Sequence, residues 1–249
     1  MNLPDTIEYS HEINRDLHTV GGALEALTTL QADRPVSLLD IGCGTGTWLR
    51  AALSLGVQKV RGVEGLDLPD DMLFVPKSLI ERRDLNRPVD LGERFDLVLC
   101  LEAAEHIEPE NADVLVETIT RHGDCVLFSA AAPGQAGTHH VNCQWPAYWQ
   151  EKFNARGFVC DDAPRWSIWN DNKIEAWYRQ NLFRATRDPQ GAGTEPRIKP
   201  VIHPDALGCF SEGFLPMHKR FLEEGGASWR WYLSAPFKAA SAKVRHKLR

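Results

Sequence analysis

The chain shows two different repeats of apolar positions. Between residues 12 and 30 they recur at steps of three and four, which is the spacing of one face of a helix: Ile13, Leu17, Val20, Leu24, Leu27 and Leu30. From residue 36 onwards, short apolar runs alternate with stretches that keep the helical spacing. The pattern therefore predicts an amphipathic N-terminal helix, lying as a lid over the ligand-binding side, and then alternating strands and helices.

The alternating part predicts the fold class. Its apolar runs predict strands at 36–41, 59–63, 79–83, 95–101, 124–130 and 158–162. The stretches between them predict helices at 47–55, 109–122 and 146–157. We therefore expect an α/β fold with a doubly wound, mostly parallel sheet that has helices on both faces. Ligands of such sheets bind at the carboxyl ends of the strands, where the strand order reverses.

Residues 186–200 interrupt this pattern. They lose the apolar repeat and gather glycine and proline, which predicts a linker or a long surface loop. Residues 201–249 hold too little apolar material for a core of their own, so we expect them to dock on the main domain. The predicted parts are an N-terminal helical lid (1–35), a main domain (36–185), and a linker with a C-terminal extension (186–249).

Charge and composition narrow the class of protein. The net charge is −6, and without the last thirteen residues, which hold five Lys or Arg and no acid, 23 bases face 34 acids, a charge of −11. A body this acidic repels a polyanion, so we do not expect a nucleic acid partner. No window approaches the roughly 20 uncharged residues that span a bilayer, and the first residues lack an apolar signal region. We expect a cytoplasmic monomer or homodimer whose six cysteines, without a C-x-x-C pair, are reduced.

A glycine-rich turn follows the first predicted strand. Gly42, Gly44 and Gly46 alternate in this turn, and Asp40 precedes them by two residues. Such glycines let the backbone turn sharply and approach a ligand closely, while the start of the next helix offers free N–H groups. A dinucleotide site needs its third glycine at position 47, where this chain has Thr47. The loop therefore predicts a ligand site that differs from that of an NAD-dependent dehydrogenase. A dehydrogenase stays open as an alternative function.

Two further acids follow the next two predicted strands. Glu64 lies eighteen residues beyond Gly46, where a carboxylate can accept hydrogen bonds from both hydroxyls of a ribose. Asp84 follows the third strand, where it can meet an adenine amino group. With Asp40, three acids follow three successive strands, which predicts a nucleoside-binding edge of the sheet.

The segments LDIGCGTG, VEG, RDL and FDLVLCLEAAEH together resemble the successive motifs of class I S-adenosylmethionine-dependent methyltransferases, over roughly residues 36–162. The resemblance implies a Rossmann-like fold with a seven-stranded sheet and S-adenosylmethionine lying across the strand ends. It also implies that the methionine part lies near Asp40 and Gly42, the ribose on Glu64, and the adenine beside Asp84 and Leu85. The cofactor-binding residues that it implies are Asp40, Gly42, Cys43, Gly44, Gly46, Glu64, Asp84, Leu85 and Leu101.

The fourth predicted strand is followed by the run E-x-x-E-H. On a helix Glu102, Glu105 and His106 would share one face, and two carboxylates so close together repel unless a cation holds them. The run resembles the metal-binding segment of two methyltransferase groups, which act on the terminal 2′-hydroxyl of small RNAs and on catechol oxygens in quinone biosynthesis. In the RNA group a further histidine is a ligand, and we select His140 for this role, with His139 in reserve.

These oxygen and nitrogen ligands would suit Mn²⁺, Fe²⁺, Co²⁺ or Zn²⁺ better than Mg²⁺. The alternative is metal-free, because an acid–histidine pair after the fourth strand also occurs in methyltransferases where it caps a helix or orients the methionine. Aromatic side chains crowd into the region from 145 to 178 and are mixed with amides and arginines, which suits stacking on a sugar or a planar ring. Those that we consider for this role are Trp145, Tyr148, Trp149, Phe153, Trp166, Trp169, Trp177 and Tyr178. Trp149 and Phe153, spaced by four, are expected in the core instead.

We therefore expect methyl transfer to an oxygen of a small sugar, polyol or phenolic metabolite. The expected catalytic residues are Glu102, through the metal that it helps to hold, and His139 or His140 as the general base. Two alternatives remain open, a metal-independent N-methyltransferase of a small molecule and a subunit that binds S-adenosylmethionine without turnover.

Overall fold

The computed structural model describes residues 18–30 and 35–207. Its helices are α1 (Val20–Leu30), α2 (Thr47–Ser54), α3 (Ala112–His122), α4 (Pro146–Asn154), α5 (Ala163–Ile168) and α6 (Ala176–Asn181). Its strands are β1 (Ser37–Ile41), β2 (Lys59–Glu64), β3 (Ile80–Arg82), β4 (Leu97–Leu101), β5 (Cys125–Ser129), β6 (Phe158–Asp161) and β7 (Phe183–Arg187). The start of the predicted lid helix and the extension beyond residue 207 lie outside the described residues.

The seven strands form one sheet in the order β3-β2-β1-β4-β5-β7-β6. All neighbouring strands are parallel except β7, which is antiparallel to both β5 and β6. The order reverses between β1 and β4, so the carboxyl ends of these two strands border the ligand-binding crevice typical of such sheets. The predicted doubly wound, mostly parallel α/β fold with seven strands is confirmed.

Apolar side chains pack on both faces of the sheet. One cluster joins α1, α2 and α6 to the sheet, with Leu27, Leu49 and Leu127 among its members. The other cluster lies on α3 and α4 and includes Trp149 and Phe153. Because β1, β4 and β5 are buried on both sides, their sequences are continuous apolar runs and not alternating ones.

The strands and helices that we predict in the main domain agree with the structure to within a few residues, but α5, α6 and β7 were missed. Strand β7 continues past residue 185, where the sequence places the end of the domain. The loop after it is tied to the domain: the Glu195 carboxylate accepts hydrogen bonds from the side chain of Asn154 and the backbone N–H of Cys160, and Ile198 is buried. Within the residues that the structure describes, no helix has the length and apolar character to cross a membrane.

Candidate active site at the carboxyl ends of the strands

The glycine-rich turn between β1 and α2 forms a cradle. Gly42, Gly44 and Gly46 all have left-handed backbones, with φ of 78°, 50° and 80°. A Cβ on Gly42 would lie 2.4 Å from the Cβ of Ala103, and one on Gly46 would lie 2.7 Å from Cγ2 of Val75. A Cβ on Gly44 would meet no other described atom within 4 Å. The turn is therefore packed at both ends and open in its middle, which suits a ligand that lies against the backbone.

Asp40 is buried in β1 next to this turn. Burial, and then the charge of Glu64, raises the pKa of Asp40 to about 8. Among the described residues, its Oδ2 atom has no hydrogen-bond partner. Because buried carboxylate oxygens are nearly always hydrogen-bonded, this unpartnered oxygen fits a bound ligand that offers N–H groups or a positive charge.

Glu64, at the end of β2, binds the backbone of the turn through its carboxylate. Its Oε2 accepts a hydrogen bond from the N–H of Gly44 at 2.8 Å, and its Oε1 accepts one from the N–H of Leu66 at 3.0 Å. Asp84 lies beyond β3, accepts a hydrogen bond from the N–H of Asn86, and keeps some solvent exposure. Six predicted cofactor residues are buried at this edge, which are Asp40, Cys43, Gly46, Leu85, Leu101 and, through its carboxylate, Glu64.

The segment after β4 differs from the helix that we had predicted. Glu102 has a left-handed backbone with φ of 51°, and only Ala104–His106 form a single 3-10 turn. The bend separates Glu102 from the two residues that were expected to share its face. Its carboxylate instead accepts hydrogen bonds from the side-chain amides of Gln135, at 2.9 Å, and Asn181, at 3.2 Å.

Three of the four proposed metal ligands lie together. Glu105, His106 and His140 each offer one ligand atom, and these atoms lie within 4.8 Å of one another. Nε2 of His140 is 4.0 Å from Oε1 of Glu105. Glu105 is fully buried, and in the described part of the chain its Oε2 has no hydrogen-bond partner. Glu102 is outside this group of three because the two amides hold its carboxylate.

Backbone carbonyl oxygens hold the imidazoles of His106 and His140 through their Nδ1 atoms. Nδ1 of His106 donates to the carbonyl oxygen of His139 at 3.1 Å, and Nδ1 of His140 donates to that of Gln135, also at 3.1 Å. Since a carbonyl can only accept, each Nδ1 carries the hydrogen and each Nε2 is the unprotonated nitrogen. Metal-binding histidines are held in this way. His139 contributes its carbonyl, while its imidazole is not one of the three converging groups.

The ionisation of these groups also suits a cation. Burial, and then the charge of His140, lowers the pKa of His106 to about 4, and burial lowers the pKa of His140. Both imidazoles are therefore neutral at pH 7, which is the form that binds a metal. Burial, and then the charge of Glu102, raises the pKa of Glu105 well above its ordinary value. A cation bound beside the Glu105 carboxylate would stabilise its ionised form.

Gly137 makes room for His140, a contact that sequence analysis missed. A Cβ on Gly137 would lie 1.9 Å from Nε2 of His140, so any larger residue would displace the imidazole. The contact joins two positions of one loop whose conformation depends on the surrounding structure. Only the glycine itself, in GQAGTHH, hinted at a close approach of this kind.

His18, two residues before α1, contacts α6 and the start of α2, and sequence analysis also missed this residue. Nδ1 of His18 lies 2.6 Å from the Tyr178 hydroxyl, which accepts a hydrogen bond from the indole N–H of Trp48 at 3.2 Å. Burial lowers the pKa of His18 to about 4, so its imidazole is neutral at pH 7. Glu175 holds the adjacent backbone by accepting from the N–H and the hydroxyl of Thr19. These residues are far apart in sequence, so no local pattern could have revealed them.

The predicted aromatic surface is divided between the core and the exterior. Trp149 and Phe153 are buried, as expected, and Tyr178 is buried as well. Trp166 is an exposed member, 49% accessible, and it packs on Trp169 with ring centroids 4.8 Å apart. Three of the eight aromatic side chains are therefore part of the core, while the other five keep some solvent exposure.

A family model described as a methyltransferase domain matches residues 10–152. The chain belongs to this family. A curated relative of this chain, the dTDP-3-amino-3,6-dideoxy-alpha-D-glucopyranose N,N-dimethyltransferase of Streptomyces fradiae, is 38% identical over 93 residues. Another, the small RNA 2′-O-methyltransferase of Xenopus tropicalis, is 24% identical over 185 residues. The two matches cover 35% and 66% of this chain and 34% and 46% of the relatives. The chain therefore spans a third to a half of the length of these curated relatives.

Solved structures show the same fold. Streptomyces venezuelae DesVI is similar to this chain with a TM-score of 0.53 and 14% identity, over 71% of this chain and 94% of that one. CalS10, an amino pentose methyltransferase from Micromonospora echinaspora solved with S-adenosylmethionine bound, has a TM-score of 0.50 and 18% identity, over 75% and 99%. The resemblance to class I S-adenosylmethionine-dependent methyltransferases is therefore confirmed, while the metal-dependent role of the E-x-x-E-H run stays a prediction.

Proposed function

We propose that this protein is an S-adenosylmethionine-dependent methyltransferase that methylates an oxygen of a small hydroxylated acceptor, such as a sugar, with the help of a divalent metal. The observation that carries the proposal is the convergence of Glu105, His106 and His140 beside the open glycine cradle. An acceptor oxygen activated at the first site would lie close to a methyl donor bound at the second.

The cofactor would be bound by the residues that border the cradle. The unpartnered Oδ2 of Asp40 suits the ammonium group of the methionine part, Glu64 suits the ribose hydroxyls, and Asp84 with Leu85 suits the adenine. When bound, S-adenosylmethionine supplies a methyl group on a positively charged sulfur. The work left to the chain is to align the acceptor with that methyl group and to remove a proton.

The metal would be held by Glu105, His106 and His140. The unpartnered Glu105 Oε2 and the two imidazoles fixed by carbonyls support this assignment, and the mixed donor set suits Mn²⁺, Fe²⁺, Co²⁺ or Zn²⁺ better than Mg²⁺. Such an ion lowers the pKa of a hydroxyl bound to it. His139, next to the cluster, is our candidate for the residue that takes the acceptor proton.

A second candidate function is metal-independent N-methylation of an amino sugar. It is favoured by the similarity to the Streptomyces fradiae N,N-dimethyltransferase. In that case the neutral His140 imidazole would take the proton from the acceptor nitrogen directly, since its lowered pKa keeps it unprotonated at pH 7. Glu105 would then orient the acceptor amine.

Metal removal separates the two functions. Protein stripped of divalent ions would be incubated with S-adenosylmethionine and a panel of nucleotide sugars bearing hydroxyl or amino groups, and methylated products would be identified by mass spectrometry. We expect O-methylated product that disappears on stripping and returns with Mn²⁺. Full activity of the stripped protein on an amino sugar would instead establish the second function.

Cofactor binding is tested separately by calorimetry with S-adenosylhomocysteine. We expect saturable binding of one molecule per chain, and an absence of heat would overturn both candidate functions. Binding without product from any acceptor, a short RNA included as a control, would point to a subunit that binds the cofactor without turnover.

A further inference from the structure

Glu102 is held in an unusual conformation at the end of β4. It is one of two non-glycine residues with a left-handed backbone in the described part of the chain, the other being His139. Its N–H donates to the carbonyl oxygen of Ser129 at 3.0 Å, which anchors the bend to β5. A left-handed backbone is unfavourable for a residue with a side chain, and such strain persists where the surrounding structure holds it in place.

Two buried amides hold the Glu102 carboxylate from both sides. Gln135 donates to Oε2, and Asn181 donates to Oε1. The Asn181 amide also donates to Oε1 of Gln135 at 3.0 Å, so the three side chains form a closed ring of hydrogen bonds. We call Gln135 and Asn181 the amide clamp. Both are at least 92% buried.

The orientation of each amide in the clamp is itself fixed. Oδ1 of Asn181 accepts a hydrogen bond from the side chain of Gln180 at 3.0 Å, which leaves its NH₂ group for Glu102. Oε1 of Gln135 accepts from the N–H of Ala132 at 3.3 Å, which likewise directs its NH₂ group to Glu102. A flip of either amide would place two acceptors against each other, so the clamp has one satisfied arrangement.

The clamp separates two carboxylates that lie in one short run of sequence. Both oxygens of Glu102 are engaged by amides, whereas Glu105 keeps an unpartnered Oε2 and lies with the two imidazoles. We propose that Gln135 and Asn181 are positioning residues that keep Glu102 off the metal. The ion is then held by three protein ligands, which leaves it more open positions for acceptor oxygens than four ligands would.

This inference rests on the proposed function, because it requires a metal at the cluster. Its test is Mn²⁺ binding to the full chain, followed by electron paramagnetic resonance, with water proton relaxation to count the water molecules on the bound ion. Neither measurement needs an acceptor or turnover. We expect Glu102→Gln to bind Mn²⁺ with the affinity of the wild type, and Glu105→Gln to bind it at least about tenfold more weakly.

Variants that remove one amide of the clamp give the more specific test of whether the clamp keeps Glu102 off the metal. In Asn181→Leu and Gln135→Leu the Glu102 carboxylate loses a partner that holds it away, so we expect tighter Mn²⁺ binding, by about threefold or more, with loss of one bound water. Adding Glu102→Gln to Asn181→Leu should abolish this gain. Gln150→Leu is the matched control. It removes a buried amide on α4 that donates a hydrogen bond to the Glu195 carboxylate, and it should leave Mn²⁺ binding unchanged.

The possible failures are distinguishable. If Glu102→Gln weakens Mn²⁺ binding as much as Glu105→Gln does, Glu102 is a metal ligand and the inference is wrong, while the proposed function stands. If the clamp variants bind Mn²⁺ like the wild type, the clamp does not control the metal and the inference is equally wrong. If wild-type protein binds S-adenosylhomocysteine but no Mn²⁺, the metal-dependent function itself fails.

Discussion

At the scale of single residues, we expect the protonation state of Asp40 to change when the cofactor binds. One of its oxygens has no partner among the residues described, and burial, reinforced by Glu64, raises its pKa to about 8. At pH 7 the free protein therefore carries a proton on Asp40. The ammonium group of a bound ligand would favour the ionised carboxylate and lower this pKa. We predict that S-adenosylhomocysteine releases up to about one proton per chain at pH 7, measured by calorimetry in buffers of different ionisation enthalpy.

Asp40→Asn is the control for this prediction. The variant should bind S-adenosylhomocysteine about tenfold or more weakly and release no proton, because it lacks the charged hydrogen-bond partner. Without ligand, the folded pKa of about 8 lies above the value of 3.8 for an unperturbed Asp, so stability should fall as pH rises from about 4 to about 8. Proton release that persists in Asp40→Asn would assign the proton to another group.

Gly137 gives a second prediction at this scale. It is exposed and its φ is not left-handed, so alanine is compatible with the backbone there, yet the new Cβ would collide with Nε2 of His140. We predict that Gly137→Ala weakens Mn²⁺ binding by about tenfold or more while the unfolding midpoint in urea changes little. Gly21→Ala, whose Cβ meets no described atom within 4 Å, serves as the control. Unchanged Mn²⁺ affinity in Gly137→Ala would show that His140 is not a ligand.

Single residues also mark the limit of what the sequence could predict. The glycine turn and the acid after each strand follow from the local order of residues, so the sequence was sufficient for them. The side chain of Glu102 could not be assigned, because its direction depends on a left-handed backbone and on amides 33 and 79 residues away. His18 was missed for the same reason, since its partner Tyr178 is 160 residues away.

At the scale of elements, long apolar strands were predictable and the amphipathic edge of the sheet was not. β1, β4 and β5 are buried on both faces and appear as apolar runs. In β7 only Phe183 and Ala185 are buried, while Arg184 and Arg187 interrupt the apolar pattern. Arg187 pairs with Asp124, and its guanidinium lies over the ring of Phe158, so polar side chains help to dock this strand.

The contact between the lid helix and α6 yields a prediction about stability and cofactor binding. In Tyr178→Phe the imidazole of His18 and the indole N–H of Trp48 both lose the hydroxyl that joins them. Leaving such groups buried without a partner costs about 1–3 kcal/mol. We expect a loss of unfolding free energy of this size in urea titrations and faster amide exchange over α1.

A smaller change in cofactor affinity should accompany this loss, because the start of the lid lies against the first turn of α2. The Thr47 hydroxyl donates to the carbonyl oxygen of His18 at 3.4 Å. If Tyr178→Phe leaves both stability and exchange over α1 unaltered, the hydrogen bonds at His18 do not hold the lid. Trp166→Phe, which changes an exposed ring elsewhere, provides the comparison.

At the scale of the whole molecule, the candidate site depends on segments that are distant in sequence. The cradle comes from the β1–α2 turn, the cluster from the ends of β4 and β5, and the amide of Asn181 from the end of α6. The two apolar clusters on the faces of the sheet hold these segments in register. β7 has a central place in this arrangement because it pairs with both β5 and β6.

The position at which the chain is shortened should therefore decide whether the site survives. A chain ending after residue 185, where the sequence alone placed the end of the main domain, lacks the last two residues of β7 and the loop that carries Glu195 and Ile198. We predict that this chain does not fold cooperatively. A chain ending after residue 207 keeps all the described contacts and should bind S-adenosylhomocysteine with an affinity within about threefold of the full chain.

Urea unfolding followed by tryptophan fluorescence, together with calorimetry, would compare the two shortened chains with the full chain. Cooperative unfolding of the chain that ends at 185 would mean that β7 and its loop are dispensable and that the earlier boundary is correct. Loss of cofactor binding in the chain that ends at 207 would instead assign a role in the site to residues 208–249. Because the antiparallel β7 joins β6 to the rest of the sheet, we expect the first boundary to fail and the second to hold.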